Sequence, residues 1–484
     1  MQRNQVLTVA IGGLLAAACA ADPSSDGGDA SRFDFGVQEM TVGGAGGDGG
    51  PGADAGGGLT EERIRLSYIK EVESAEGTVV DLVVYDFTEN REANLTNGQA
   101  GGVNCRAKGC VLNKQMTWVG WMEPATGVGF DLFVAPVDTL RLIARIDQKR
   151  RVATEVHTFE FTTDDARDLI VFSQGEAEGP EGELEVRVEP VAPFDAALCM
   201  VPNIDDPSAC PQPVGFINGD GAFRVTPFGS LIILIKTTLS TMTLDFFNVS
   251  NGASQTLYTF GEQGGTGSEF SGRLPVALSP DSRFLAVFTR NDFIWRVHNL
   301  QAVPNPPAPV SLDLFEVEGE RLGDCTRPAP FNFNNLRFDP LFSPDAAYLY
   351  FLAAGDCSRQ EMLSNRDDFD VLRMDKSLDP ASVKSLTKNL RTSHWANHQI
   401  GEFDLSPDGD LIAFTAPRPF DAQSKSVWIV GSDPDEANGP TYNCSRSMPV
   451  AGPDGRQRCE FIFEEREGAH VSYRGLSFHR VLPD

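Results

Sequence analysis

Basic charge is in short supply. Lysine and arginine number 40 against 68 aspartate and glutamate, a formal net charge of −28. Such a surface repels the phosphates of nucleic acid and the headgroups of anionic lipid. Nucleic acid is therefore excluded as a partner, and the acidity suits an exported protein that must stay soluble. Histidine is scarce too, six in 484 residues. The chain has no G-x-S-x-G elbow, no G-x-x-x-x-G-K-[ST] phosphate loop, no H-E-x-x-H helix and no dinucleotide-binding glycine fingerprint; the chemistries those patterns serve are not expected here. The apolar run from Val6 to Ala18 is too short to span a bilayer. What is plentiful is apolar material, 41% of residues with 32 phenylalanines, enough for a sizeable core.

Arg3, the run Val6 to Ala18 and then Cys19 have the charged, hydrophobic and small-residue layout of a secretory signal. The stretch Leu15-Ala16-Ala17-Ala18-Cys19 resembles the lipobox of bacterial lipoproteins, with the usual leucine one place farther from the cysteine and Ala16 in its position. The resemblance implies that residues 1–18 are a signal peptide and that Cys19 is diacylated as the mature N-terminus. It also implies a Gram-negative cell envelope. Ala20, rather than an aspartate, follows the cysteine, which by the sorting rule of enteric lipoproteins favours the outer membrane, at its periplasmic face or the cell surface. Membrane contact is then through lipid alone.

Residues 19–58 are dominated by Gly, Asp, Ala and Ser, as in TVGGAGGDGGPGADAGGG. No core forms from that composition, and about forty such residues behave as a tether reaching some 30 to 40 Å. The Asp-Gly clusters lack the ordered frame of a calcium loop.

Nine cysteines is an odd number for an exported protein, where an unpaired thiol is a liability. With Cys19 lipidated, eight remain, in neighbouring couples: Cys105 with Cys110, Cys199 with Cys210, Cys325 with Cys357, and Cys444 with Cys459. Eight cysteines allow 105 connectivities; nearest-neighbour pairing closes the shortest loops and is the expected disulfide pattern. Zinc at Cys105 and Cys110 is the competing reading, but they lack C-x-x-C spacing and no histidine is near.

Three stretches repeat: SPDSRFLAV from Ser279, SPDAAYLYF from Ser343 and SPDGDLIAF from Ser406. Ser, Pro and Gly at the first, second and fourth places of a four-residue segment mark a type I turn. The short apolar run that follows reads as a strand covered on both faces. Each copy is followed about a dozen residues later by a second strand: FIWRVHNL, FDVLRMDK and SVWIVGSD. Degenerate copies stand upstream at TPFGSLIIL with LDFFNVS, FTTDDARDLIVF with LEVRVEPV, and NKQMTWVGW with FDLFVAPV. A period near sixty residues with a few short strands per unit is a propeller pattern. The unit resembles the WD-like repeat of the TolB-type propeller family, found also in the propellers of prolyl-oligopeptidase-like enzymes; the folded length leaves no room for a hydrolase domain beside it. RIRLSYIK and VVDLVVYDF near the start lack a first strand, and GLSFHRV at the end resembles a first strand with nothing after it. The expectation is an all-β propeller over residues 59–484. It has seven blades, six or eight being the alternatives, and is closed by pairing of the C-terminal strand with the N-terminal blade.

Trp118, Trp121, Trp295 and Trp428 fall at strand positions and are expected in the core, with Trp395 in a loop. Asp281, Asp345 and Asp408 are expected to cap their turns, cation binding being the alternative. In RTSHWANHQIGEF, His394, His398 and Gln399 faintly resemble the metal ligands of oligogalacturonate lyases, propellers of this repeat type. That resemblance implies a divalent metal and a carbohydrate-active enzyme, whereas the bland reading packs these side chains in a loop. The leading expectation is a non-enzymatic binding or scaffold module without cofactor, taking a protein or peptide ligand in the envelope.

Overall fold

The computed structural model describes residues 62–96, 105, 109–125, 129–163, 168–175, 183–192, 214–218, 222–225, 231–237, 242–248, 254–260, 276–281, 283–289, 294–300, 310–313, 340–354, 369–386, 400–418, 421–432, 450–451, 457–458, 460–462, 464 and 468–482. All belong to the compact unit Gly57–Asp484. Among the described residues every regular element is a strand, apart from two 3₁₀ turns at Ile146–Gln148 and Pro380–Ser382.

In chain order, β1 (Arg63–Ser74), β2 (Gly77–Asp86) and β3 (Arg91–Asn94) pair antiparallel. The next eight form one sheet: β4 (Cys110–Leu112), β5 (Trp118–Pro124), β6 (Phe130–Asp138), β7 (Ile143–Ala144), β8 (Arg150–Thr163), β9 (Asp168–Gln174), β10 (Glu183–Pro190) and β11 (Gly215–Asn218). Three four-stranded antiparallel meanders follow. They are β12 (Ala222–Val225) to β15 (Ser254–Phe260) through β13 (Leu231–Thr237) and β14 (Met242–Asn248); β16 (Val276–Leu278) to β19 (Val310–Asp313) through β17 (Phe284–Thr289) and β18 (Ile294–Asn299); and β20 (Leu341–Phe342) to β23 (Lys384–Ser385) through β21 (Tyr348–Ala354) and β22 (Phe369–Asp375). The last meander holds β24 (Phe403–Leu405), β25 (Leu411–Arg418) and β26 (Asp421–Gly431). After a two-stranded ribbon, β27 (Val450–Ala451) with β28 (Gln457–Arg458), it ends in β29 (Glu460–Ile462). The final strand, β30 (Ala469–Val481), returns to pair with β1 from Arg63↔Val481 to Ser74↔Ala469, so the first sheet has the order β3-β2-β1-β30.

The repeated turn explains why strands begin where they do. Ser343 is buried; its hydroxyl donates to Asp345 Oδ1 at 2.5 Å and accepts from the N–H groups of Ala347 and Tyr348 at 3.0 and 2.9 Å. Ser279 and Ser406 do the same with Asp281 and Asp408. One hydroxyl thus satisfies the donors that start the next strand, and the aspartates cap turns. Hydrogen bonds from Ser343 and from the Ala347 N–H, against a smaller effect of burial, hold the Asp345 carboxyl below its usual value. In the degenerate copy Asn113 replaces the serine, its side-chain oxygen accepting from Trp118 N at 3.0 Å. The fourth turn residue is left-handed in three copies: Met116 (φ 59°), Ala346 (φ 55°) and Gly409 (φ 84°). Left-handed backbone costs a side-chain-bearing residue about 1–2 kcal/mol, and a β-carbon on Gly409 would lie 3.0 Å from Pro344 Cδ. Gly409→Ala is expected to lower stability by about 1–2 kcal/mol in urea unfolding, while Ala346→Gly is neutral or stabilising.

The eight-stranded sheet departs from the expected series of separate four-stranded units. Its cause is β8, whose first half pairs with β6 and whose second half pairs with β9. The change of partner falls at Glu155, held at φ 57°, against which Gly129 packs so closely that a β-carbon would meet Glu155 Cα at 2.9 Å. One continuous strand therefore closes the β4–β7 unit and opens the β8–β11 unit. The other departure is length: the β1–β2 hairpin and β30 run several residues past the expected strands.

Seven clusters of buried side chains are present among the described residues, six between successive sheets and one between the two halves of the eight-stranded sheet. Ile69 and Val84 pack with Trp121 and Val137; Leu132 and Val134 with Phe159 and Phe172; Val171 and Val186 with Ile232 and Leu234. Ile233 and Leu244 pack with Leu285 and Val287; Trp295 and Val297 with Leu349 and Phe351; Tyr350 and Val371 with Ile412 and Trp428. The seventh joins the last meander to the first sheet, Val427 and Ile429 packing with Tyr68, Tyr473 and Phe478. Alternate residues of one strand serve opposite clusters, Ile232 one and Ile233 the next. This is why the strands read as unbroken apolar runs rather than as alternating ones. Trp121, Trp295 and Trp428 are core as expected, and Trp118 is half-buried beside the Phe159 cluster.

Candidate functional site

Among the described residues, polar side chains with built geometry gather where the first and last strands meet. Strand β30 bonds to β1 along one edge; two of its N–H groups on the other edge reach side chains of the last meander. Leu476 N donates to Glu402 Oε1 at 3.1 Å and Phe478 N to Asp404 Oδ2 at 2.6 Å. Glu402 is 1% exposed. A carboxylate accepting from backbone N–H forms a strong, charge-assisted bond, and it satisfies a strand edge that would otherwise be open. Glu160 of β8 does the same for Val225 N of β12 at 3.2 Å, with Arg224 also in its reach.

On the face toward β4–β7, Ser67 Oγ lies 2.8 Å from His479 Nε2, both residues buried and in facing strands. Two residues away, fully buried Arg65 bonds through Nε to Asp86 Oδ2 at 2.7 Å and through Nη1 to the Thr139 carbonyl at 2.9 Å. Burial alone would raise the Asp86 carboxyl, but bonds from the Glu89 N–H and from Arg65, with Arg63 nearby, hold it below its usual value. Tyr68 and Tyr473 meet edge to face at 5.6 Å, Lys70 pairs with Glu464, and Arg474 reaches both Glu71 and the Cys105 carbonyl. The Ser67–His479 pair is closed off from solvent, so its chemistry is that of a lock between strands rather than of a nucleophile.

Of the sequence-predicted residues, Cys105 and Cys110 are joined by a disulfide with Cα atoms 5.0 Å apart, at the entry to β4. Cys19, Cys199, Cys210, Cys325, Cys357, Cys444 and Cys459 lie outside the described residues, as do His394, Trp395, His398 and Gln399. The chain re-enters the described structure at Ile400, and Glu402, close to that histidine pair in sequence, is committed to Leu476. Among the described residues no three His, Cys, Asp or Glu side chains are placed to hold a metal ion, and no helix is long and apolar enough to cross a membrane. Ser67, His479, Glu402 and Asp404 were not singled out from sequence; the only hint was the acidic residues flanking Phe403 just before an SPDG turn.

His298 on β18 titrates unusually. Burial first, and then Arg296, lowers its pKa from 6.5 to about 4. Above about pH 6.5 both folded and unfolded chains hold it neutral, so its contribution is complete. As pH falls from there only the unfolded chain takes up the proton, and stability is lost until the folded pKa near 4 is passed. The expected loss is about 3 kcal/mol, read as a fall in urea midpoint between pH 6.5 and 4 that His298→Leu flattens.

Fold and site define an all-β protein built of consecutive antiparallel sheets, with its terminal strands laced together. No family model matches the chain, and no curated protein matches it in sequence. Among solved structures it is similar to TolB from Acinetobacter baumannii (11% identity, 84% of this chain and 82% of that one, TM-score 0.35). It is also similar to a candidate 6-phosphogluconolactonase from Bacteroides uniformis ATCC 8492 (10%, 87% and 100%, TM-score 0.44) and to the acylaminoacyl peptidase of Pyrococcus horikoshii (10%, 78% and 51%, TM-score 0.42). At such scores the likenesses carry no argument about fold family or activity.

Proposed function

We propose that residues 59–484 form a seven-bladed β-propeller, closed by β30, that acts as a protein- or peptide-binding module. It is held to the bacterial envelope, at the outer membrane, by lipid on Cys19 and the 19–58 tether, with no catalysis of its own. The observation that carries the reading is the succession of seven cores, each between neighbouring units and the last returning to the first sheet. Counting the eight-stranded sheet as two blades sharing β8 gives one core per blade junction. The described ionisable groups with built geometry serve joints and turns, which suits a rigid platform whose connecting segments do the recognising.

Three measurements test it. Cys19→Ser is expected to move the protein from the membrane fraction to the soluble fraction; retention in the membrane defeats the lipid anchor. Residues 59–484 immobilised on resin are expected to retain a discrete envelope protein from extracts. Near-stoichiometric divalent metal in the purified protein, lost in His398→Ala, would instead support a metal enzyme.

A further inference from the structure

We propose that the outer edge of the β1–β2 hairpin, at Thr78 and Val80, receives an extended, positively charged peptide segment of a partner protein as an added β-strand. The inference rests on the reading of the chain as a binding module and names a place and a partner chemistry for it.

The hydrogen-bond alternation locates the edge. Phe87 N donates to Ile64 O at 3.2 Å, and the register of the hairpin runs unbroken from Arg65↔Asp86 to Ser74↔Gly77. In an antiparallel pair, facing residues alternate between bonded and non-bonded. Tyr85, Val83, Asp81, Val79 and Gly77 are therefore bonded to β1, while Leu82, Val80 and Thr78 turn their N–H and C=O groups away from it. Leu82 obeys this rule: its N–H donates to Thr96 Oγ1 at 3.1 Å and its carbonyl accepts from Leu95 N at 2.9 Å. Strand β3 covers only Val83 to Asp86, so among the described residues no strand covers Val80 and Thr78. Two donors and two acceptors stand in a row, at the spacing an extended chain matches.

Among the described residues the hairpin is open to solvent at this end, with Thr78 and Val80 half-buried and Val80 resting against the first core. Val79 is 53% exposed, and a β-carbon on Gly77 would meet no atom within 4 Å. A bare edge is ordinarily blunted by lysine, proline or a bulge. Here the register has no bulge, and the sequence from Gly77 to Leu82, GTVVDL, has no proline or lysine.

Charge selects the occupant. Glu73, facing His470, and Glu76 at the hairpin tip are exposed and form no salt bridge among the described residues, and Asp81 stands at the other end of the open stretch, accepting from Thr96. Lys70 of the same hairpin is engaged by Glu464. A second copy of the chain would set these carboxylates against their own likes, on a protein of net charge −28. A basic strand gains from the same field.

The test uses the full-length Cys19→Ser chain and a synthetic peptide of alternating lysine and valine, with alternating glutamate and valine as control. Binding of the lysine peptide is expected by fluorescence anisotropy at low salt, with hydrogen-exchange protection appearing in residues 76–82. Val80→Pro removes one outward N–H without touching the internal ladder; it is expected to weaken binding about tenfold or more. Glu73→Lys with Glu76→Lys, both at exposed positions, weakens it independently and makes it insensitive to salt. Failure of the lysine peptide to bind, equal binding by the glutamate peptide, equal binding by Val80→Pro protein, or protection appearing elsewhere overturns the proposal. Retention of an envelope partner by the Val80→Pro protein removes this edge while leaving the binding-module reading intact.

Discussion

Removal of residues 469–484 is expected to abolish cooperative folding. Strand β30 contributes Val471, Tyr473, Leu476 and Phe478 to the core between the last meander and the first sheet, and Val481 to the core on the opposite face of that sheet. At about 1.5–3 kcal/mol for each buried side chain, these five side chains account for roughly 8 to 15 kcal/mol. That is the whole net stability of an ordinary domain. The truncation also strips β1 of one of its two partners and leaves Glu402 and Asp404 without the Leu476 and Phe478 N–H groups they accept from. The expected result is loss of the cooperative urea transition and gain of dye-binding apolar surface, with partial recovery when residues 469–484 are supplied as a peptide. A truncated chain that unfolds as sharply as the full one would show that the terminal strands are an ornament of the fold rather than its fastening.

Asp86→Ala is the single substitution with the largest expected cost. It leaves the Arg65 guanidinium in a fully buried position with only the Thr139 carbonyl for a partner, and Arg65 Nη2 is without a hydrogen-bond partner even in the intact protein. An uncompensated buried charge of this kind costs about 3–5 kcal/mol. Asp86 Oδ1 also accepts from the N–H groups of Thr88 and Glu89, both at 3.0 Å, so the turn into β3 loosens as well. Arg65→Met with Asp86→Ala removes charge and counter-charge together and is expected to recover a large part of the loss, which a double-mutant cycle in urea measures. The acid dependence follows from the lowered Asp86 carboxyl: its contribution is full above the usual carboxylate value and is lost as pH falls through the folded one. That window lies below the one in which His298 acts, so the two are separable in a single titration of stability against pH.

The turns were readable because their chemistry is local. Ser343 bonds to Asp345 and accepts from the Tyr348 N–H, all within six residues, and even the degenerate copy at Asn113 declares itself once spacing is used. The burial of Trp121, Trp295 and Trp428 followed from the same unit. The joint was half readable: the unmatched strands at the two ends implied a partnership, and β30 pairs with β1. What stayed hidden was every group whose partner is remote. Ser67 and His479 are 412 positions apart, Arg65 and Thr139 are 74 apart, and Leu476 reaches Glu402 across 74. No spacing rule links such residues, and a serine or histidine on a strand looks the same whether it faces a neighbour or solvent. The continuity of β8 through Glu155 escaped for a related reason, since a non-glycine residue held left-handed leaves no mark in the sequence.

By itself, then, the sequence determined an all-β chain of turn-and-strand units, its acidity and the order of its parts, because turn hydrogen bonds and apolar runs are satisfied between near neighbours. Only the tertiary structure decided which sheet abuts which, that one strand serves two units, and that carboxylates of the last meander fasten the final strand. It alone left Thr78 and Val80 with their backbone groups turned outward. Those outcomes depend on hydrogen-bond alternation and packing between segments tens to hundreds of residues apart, where the free energy of each contact exists only once all the others have formed.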